Sequence, residues 1–212
     1  INGNPQYIAN PGGTLHYEIF FKNIGEESFN NLFLVAKLEG KAFNFETIKA
    51  PLGEFEAGDN SIIFDWRRVA DLQFLDSQKE GKVEFWIELK KDWGITNSQD
   101  FNPVIRNKVY LSQARQEFIN KVNSQIEVIQ KGYYLDEVFG NSGPIPPEVG
   151  KTTTYTIIWQ AKNYYNNVKN TRVKANLGKG VSLTGKIFPE GTRLTFDSQS
   201  REVVWELENL DA

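Results

Sequence analysis

The sequence contains no cysteine and no methionine, and only one histidine. The missing thiols exclude disulfides, thiol catalysis and every thiolate metal site. A lone histidine excludes a multi-histidine zinc centre. Long apolar runs are also missing, and none approaches the roughly 20 residues of a membrane span. No basic block is present: the net charge is -3, spread along the chain. Nucleic acid and anionic membranes need a concentrated basic surface, so neither is an expected partner of this fragment. There is no Asn-x-Ser/Thr sequon. A cysteine-free, sequon-free chain fits a bacterial surface better than a eukaryotic secreted one. The chain begins at Ile1 and stops on "LENLDA", which reads as a piece of a longer polypeptide.

What is present is strand. "TLHYEIFFK" (14–22), "LFLVAKL" (32–38), "NSIIFDW" (60–66), "KVEFWIELK" (82–90), "VIRNKVYL" (104–111), "TTYTIIW" (153–159), "TRVKANL" (171–177), "TRLTFD" (192–197) and "EVVWEL" (202–207) are rich in β-branched and aromatic residues. In "KVEFWIELK", Val83, Phe85, Ile87 and Leu89 point one way and Glu84, Trp86 and Glu88 the other. That is the period of a sheet with one wet face. "SQARQEFINKVNSQIEVIQ" (112–130) is read as two strands with a short connection. "GNSGPIPPEVG" (140–150) favours polyproline geometry, bridging two strands.

The same pattern is written twice. "GGTLHYEIFFKN" (12–23) corresponds to "VGKTTTYTIIWQAKN" (149–163), each closing on Lys-Asn. Asn31 then matches Asn170, Leu34 matches Val173, Ala36 matches Ala175 and Leu38 matches Leu177. "NSIIFDW" corresponds to "REVVWEL", which suggests equivalent scaffold roles for Trp66 and Trp205. The second copy reaches Ala212 without counterparts of "KVEFWIELK" and "VIRNKVYL". The expectation is an all-β chain of two tandem immunoglobulin-like β-sandwich modules in an elongated arrangement. Module one covers 1–123 and module two 124–212, the second truncated.

The Pro-Gly turn and Tyr-led strand of "GNSGPIPPEVGKTTTYTIIW", with the strands around it, resemble the Ig-like family called domain of unknown function eleven. The resemblance covers most of the chain; the first module departs from it with Leu15-His16 and an insertion around 45–59. It implies a non-catalytic repeat of bacterial or archaeal cell-surface proteins. Function would then be that of a stiff spacer, stalk or surface-layer element. Partners would be neighbouring repeats of the same polypeptide. No catalytic residue and no cofactor is carried over.

Candidate sites are few. Exposed aromatics stack on sugars or proteins, so Trp86, Tyr164 and Tyr165 are candidate contacts for a glycan or protein ligand. An accessory binding module of a secreted protein is therefore the alternative reading. Asp136 and Glu137 are candidates for a calcium ion at a module joint. Lys22 and Asn107, on early and late strands of module one, are candidates for an isopeptide bond. That chemistry needs a buried, neutral lysine amine. His16 is read as an ordinary surface residue. No phosphate loop, nucleophile elbow or glycosidase spacing marks an enzyme.

Overall fold

A computed structural model describes residues 1–4, 6–94 and 101–212. They form two compact units, Ile1–Ser124 and Gln125–Ala212. The chain is all-β. The one helix among the described residues is a single turn, α1 (Ala70–Gln73).

Unit 1 runs β1 (Thr14–Lys22), β2 (Phe29–Asn30), β3 (Phe33–Glu39), β4 (Phe43–Lys49), β5 (Gly53–Glu56) and β6 (Ser61–Asp65). After α1 come β7 (Phe74–Leu75), β8 (Glu80–Leu89), β9 (Val104–Leu111) and β10 (Ala114–Lys121). One antiparallel sheet has the order β1-β8-β4 and a second has β10-β9-β3-β6-β5. The apolar phase of β1, β3, β6, β8 and β9 faces one shared core, while the apolar side chains of the edge strand β10 are exposed. Leu15, Tyr17 and Ile19 from β1 meet Val83, Phe85 and Ile87 from β8, with Leu34, Ala36, Ile62, Phe64 and Ile105 from the other sheet. Tyr17 stacks on Phe85 at 4.6 Å, and burial raises the Tyr17 phenol well above its ordinary range. Burying each such large side chain contributes about 1.5–3 kcal/mol. Gly81 is required here, because a Cβ would lie 2.4 Å from the Phe21 ring.

Unit 2 runs β11 (Ile126–Tyr133), β12 (Thr156–Asn163), β13 (Val168–Asn176), β14 (Leu194–Phe196) and β15 (Glu202–Leu210). β11 pairs with β12, and a second sheet has the order β13-β15-β14. The stretch 112–130 is thus two strands, β10 and the start of β11, as expected. The proline-rich segment does bridge β11 and β12. Turns break it, and the Asn141 amide ties it down by donating to the carbonyls of Tyr133 and Tyr134 and to Thr156.

The repeat holds at the level of backbone register. β3 meets β6 with Leu34 opposite Phe64 and Ala36 opposite Ile62. β13 meets β15 with Val173 opposite Trp205 and Ala175 opposite Val203. Phe55 faces Ile62 as Phe196 faces Val203. Asn31 and Asn170 both adopt left-handed φ (54° and 56°), as do Asn60 and Arg201 (57° and 58°). The Leu38 amide donates to the Asn60 carbonyl and that of Leu177 to the Arg201 carbonyl, both at 2.9 Å. Register corrects one detail. Trp205 occupies the place of Phe64, not of Trp66, which lies beyond the end of β6.

The closing Asn of each Lys-Asn pair clamps the following loop. Asn23 donates its amide to the carbonyls of Glu27 and Leu75. Asn163 donates to those of Asn166 and Leu210. An amide with both protons used, buried in Asn23 and half-buried in Asn163, fixes the loop path in each unit.

Candidate functional site

The outer face of the β1-β8-β4 sheet gathers the most chemistry. Antiparallel pairing sets His16 opposite Trp86 and Glu18 opposite Glu84. The His16 ring lies flat on Trp86, with centroids 4.4 Å apart and planes 2° from parallel. His16 Nε2 approaches Glu84 Oε2 at 3.3 Å. Two glutamates facing each other across a ladder repel. Lys82 resolves this by donating to Glu18 and Glu84, each at 3.2 Å. The Lys82 ammonium holds the Glu84 carboxyl below its usual range, and hydrogen bonding to Glu84 and Glu18 holds Lys82 above its own.

A cleft of about 340 Å³ opens beside this stack, lined by Thr14, Thr47, Lys49, Trp86, Ile87 and Glu88. It exists because β4 bulges: pairing with β8 jumps from Asn44–Glu88 to Lys49–Trp86. The Thr47 hydroxyl pins the bulge, donating to the Asn44 carbonyl at 2.7 Å and accepting the Glu88 amide at 2.9 Å. So Trp86, anticipated from alternation as a contact residue, is half-buried under His16 and borders a polar cleft. The partners of Trp86 were not anticipated. Alternation shows which residues face outward; only the pairing register shows which of them meet.

His16, Glu18 and Glu84 present ligand-type atoms within 4.8 Å of one another. The position between the carboxylates is served by the protein's own cation, Lys82, so a metal ion there would have to displace it.

The other candidates disperse. Tyr164 and Tyr165 do not form a flat platform. Their rings are 6.4 Å apart and tilted by 49°. Tyr164 is at the surface and donates its hydroxyl to Glu127 at 2.6 Å, which raises its phenol pKa above the ordinary value. Tyr165 is buried in unit 2, 5% exposed, so it offers no ring face to a ligand. The pair lies just past the end of β12, where the chain bends at Tyr165 and one ring turns inward while the other stays at the surface.

Lys22 and Asn107 lie in different sheets. The Lys22 amine is exposed and ion-paired to Glu80 at 3.0 Å. A charged amine has no lone pair to attack a carboxamide, so the isopeptide expectation fails on burial. Asn107 is buried, with Oδ1 lacking a hydrogen-bond partner, and faces Leu38 and Phe118 across its two ladders.

Asp136 is committed to its own loop. Its carboxylate accepts the Thr156 hydroxyl at 2.8 Å and the Phe139 amide at 2.9 Å. These bonds hold it below the usual carboxylate range. Glu137 is exposed. Among the described residues, no group of three or more acidic or histidine side chains that could share an ion includes Asp136 or Glu137.

The sequence matches no family model and no curated protein. Two solved structures show weak likeness. One is a family 123 glycoside hydrolase from Clostridium perfringens, described for glycolipid glycan hydrolysis: 11% identity, TM-score 0.28, covering 54% of this chain and 22% of that one. The other is a PapD-like domain of human CEP192: 11% identity, TM-score 0.21, covering 55% of this chain and 76% of that one. The chain thus spans about a fifth of the hydrolase.

Proposed function

We propose that the chain is a non-catalytic structural repeat, two tandem immunoglobulin-like β-sandwich modules of a prokaryotic cell-surface or secreted protein. The observation that carries this reading is the matched register of β3-β6-β5 and β13-β15-β14, down to the left-handed residues at both ends of the ladder. A scaffold copied at this level supports a role in spacing and rigidity, with neighbouring repeats as partners. The resemblance to surface-protein repeats supports an extracellular location.

Stiffness is the testable content. The chain has no native cysteine, so spin labels at Glu26→Cys and Lys179→Cys, both in exposed loops, report one distance. A narrow distribution is expected. A broad one, unchanged by ionic strength, removes the spacer reading.

The cleft beside Trp86 favours a second reading, a binding module for a glycan or protein. It combines one aromatic wall with hydroxyl, ammonium and carboxylate groups. Trp86→Ala should abolish retention on a glycan or protein array, while Tyr164→Phe should leave it unchanged.

A further inference from the structure

The outer face of the β1-β8-β4 sheet satisfies its own charges along most of its length and leaves two over at one place. Lys22 pairs with Glu80, and Lys82 pairs with Glu18 and Glu84. Lys49 and Glu88 stand at the cleft and have no ion-pair partner among the described residues. Register sets Lys49 of β4 opposite Trp86, and Thr14 of β1 opposite Glu88. The Thr47 hydroxyl is already committed to the bulge, donating to the Asn44 carbonyl and accepting the Glu88 amide. Polar recognition in the cleft therefore falls to Lys49, Glu88 and Thr14. These are a donor, an acceptor and a hydroxyl that serves as either.

The indole is available on one side only. His16 covers one ring face, with centroids 4.4 Å apart, and does not line the cleft. The part of Trp86 that meets the cleft is thus the part His16 leaves open. Trp86 is also the sole aromatic residue of the lining. Its stack on His16 holds the ring in place before a ligand arrives, which lowers the ordering cost of binding. The cleft volume, about 340 Å³, lies at the small end of ligand sites. Charge narrows the ligand further. Lys49 and Glu88 cancel at the rim. Beyond them Glu18 and Glu84 share one ammonium, Lys82. An anion therefore meets surplus carboxylate, and a cation meets Lys49 inside the cleft.

We propose that the cleft binds a neutral hexopyranose carrying an axial ring hydroxyl, of galacto or manno configuration. This deepens the binding-module reading and rests on it. A hexopyranose whose hydroxyls are all equatorial shows C–H groups on both ring faces. One axial hydroxyl makes one face polar and leaves the other apolar. Such a ring matches a cleft with one indole surface and one set of hydrogen-bonding groups. Its C–H face packs on Trp86. Its axial hydroxyl and the equatorial neighbour turn to Lys49 and Glu88. The carboxylate accepts their protons and the ammonium donates to a hydroxyl oxygen, bonds strengthened by the charge on the protein side.

The probes are the methyl β-glycosides of galactose, mannose and glucose, titrated into the full chain while the His16 ring lines are followed by NMR. Saturable shifts are expected with the galactoside or the mannoside, with a Kd at least about fivefold below that of the glucoside. Lys49→Ala and Glu88→Gln lie at exposed strand positions. Each should weaken the preferred glycoside about tenfold and leave urea unfolding unchanged. The uronic acid of the preferred ring should bind more weakly than the neutral glycoside and gain affinity in Glu88→Gln. Equal affinity for the glucoside overturns the proposal. So does affinity untouched by both substitutions, or the absence of any shift at the solubility limit of all three glycosides. In that last case, retention of another glycan or of a protein that Trp86→Ala abolishes leaves the binding-module reading standing. Loss of both removes that reading as well.

Discussion

The two units share a ladder and differ in what covers it. In unit 1 both sheets close over Phe43, Phe64 and Phe85, all fully buried. Among the described residues of unit 2, the buried apolar side chains are Tyr165, Val173 and Val203. The same local pattern therefore yields a dense core in one place and an open face in the other. Local alternation, turn residues and register specify a strand scaffold, but burial comes only from strands brought from elsewhere in sequence.

Four substitutions or pairs of substitutions break or sharpen this comparison. The largest effect is expected in the core. Phe85→Ala should destabilise unit 1 by about 3–5 kcal/mol, whereas Ile157→Ala, at the position corresponding to Tyr17, should cost below about 0.5 kcal/mol. Urea unfolding followed by residue-resolved exchange separates the two. Comparable losses would mean that unit 2 buries Ile157 in solution. Next come the loop clamps. Asn23→Ala and Asn163→Ala each strand two carbonyls and should cost about 1–3 kcal/mol, with Asn23 at the upper end because it is the more buried. A smaller effect belongs to the left-handed pair. Asn31→Val and Asn170→Val should each lose roughly 1–2 kcal/mol while the glycine variants stay near neutral. A penalty at only one of them would break the equivalence.

The smallest effect is electrostatic and is expected in both units. Asp76 in unit 1 accepts the Ser28 hydroxyl at 2.7 Å, and Asp136 in unit 2 accepts Thr156. Both carboxyls are held below the ordinary 3.8, chiefly by those hydroxyls. A depressed folded-state pKa stabilises at pH above the unfolded value, and that contribution is lost as pH falls through the folded value. The loss therefore begins below about pH 4. Ser28→Ala and Thr156→Val should each move the neighbouring carboxyl upward in a carbon-detected NMR titration. An unmoved titration would show that the backbone amides alone hold the charge.

Most strands could be read directly from alternation, and the repeat from the Lys-Asn and Asn-x-x-Leu/Val spacing. β4 and β5 could not. "FNFETIK" is interrupted by a bulge and "GEFE" is only four residues, so neither sustains a period, and the region read as an insertion. That same bulge makes the cleft beside Trp86. The site was therefore hidden where the pattern failed. Glu84 was read as an outward residue, but its convergence with Glu18 and Lys82 was not, because it depends on a pairing register that spans more than 60 residues of chain. Asn60 and Arg201 show the limit differently. One backbone conformation is filled by two unlike residues. The Arg201 guanidinium supports it by donating to the carbonyls of Leu177, Gly178 and Val181.

His16 is the sole imidazole in the molecule, and it rests on an indole ring at the mouth of the cleft. Its ring protons will therefore give one isolated pair of NMR lines, displaced by the ring current of Trp86. No assignment is needed to follow them. A ligand entering the cleft, a loosened β4 bulge or the loss of Lys82 would each move those lines, while events in unit 2 would be read elsewhere in the spectrum.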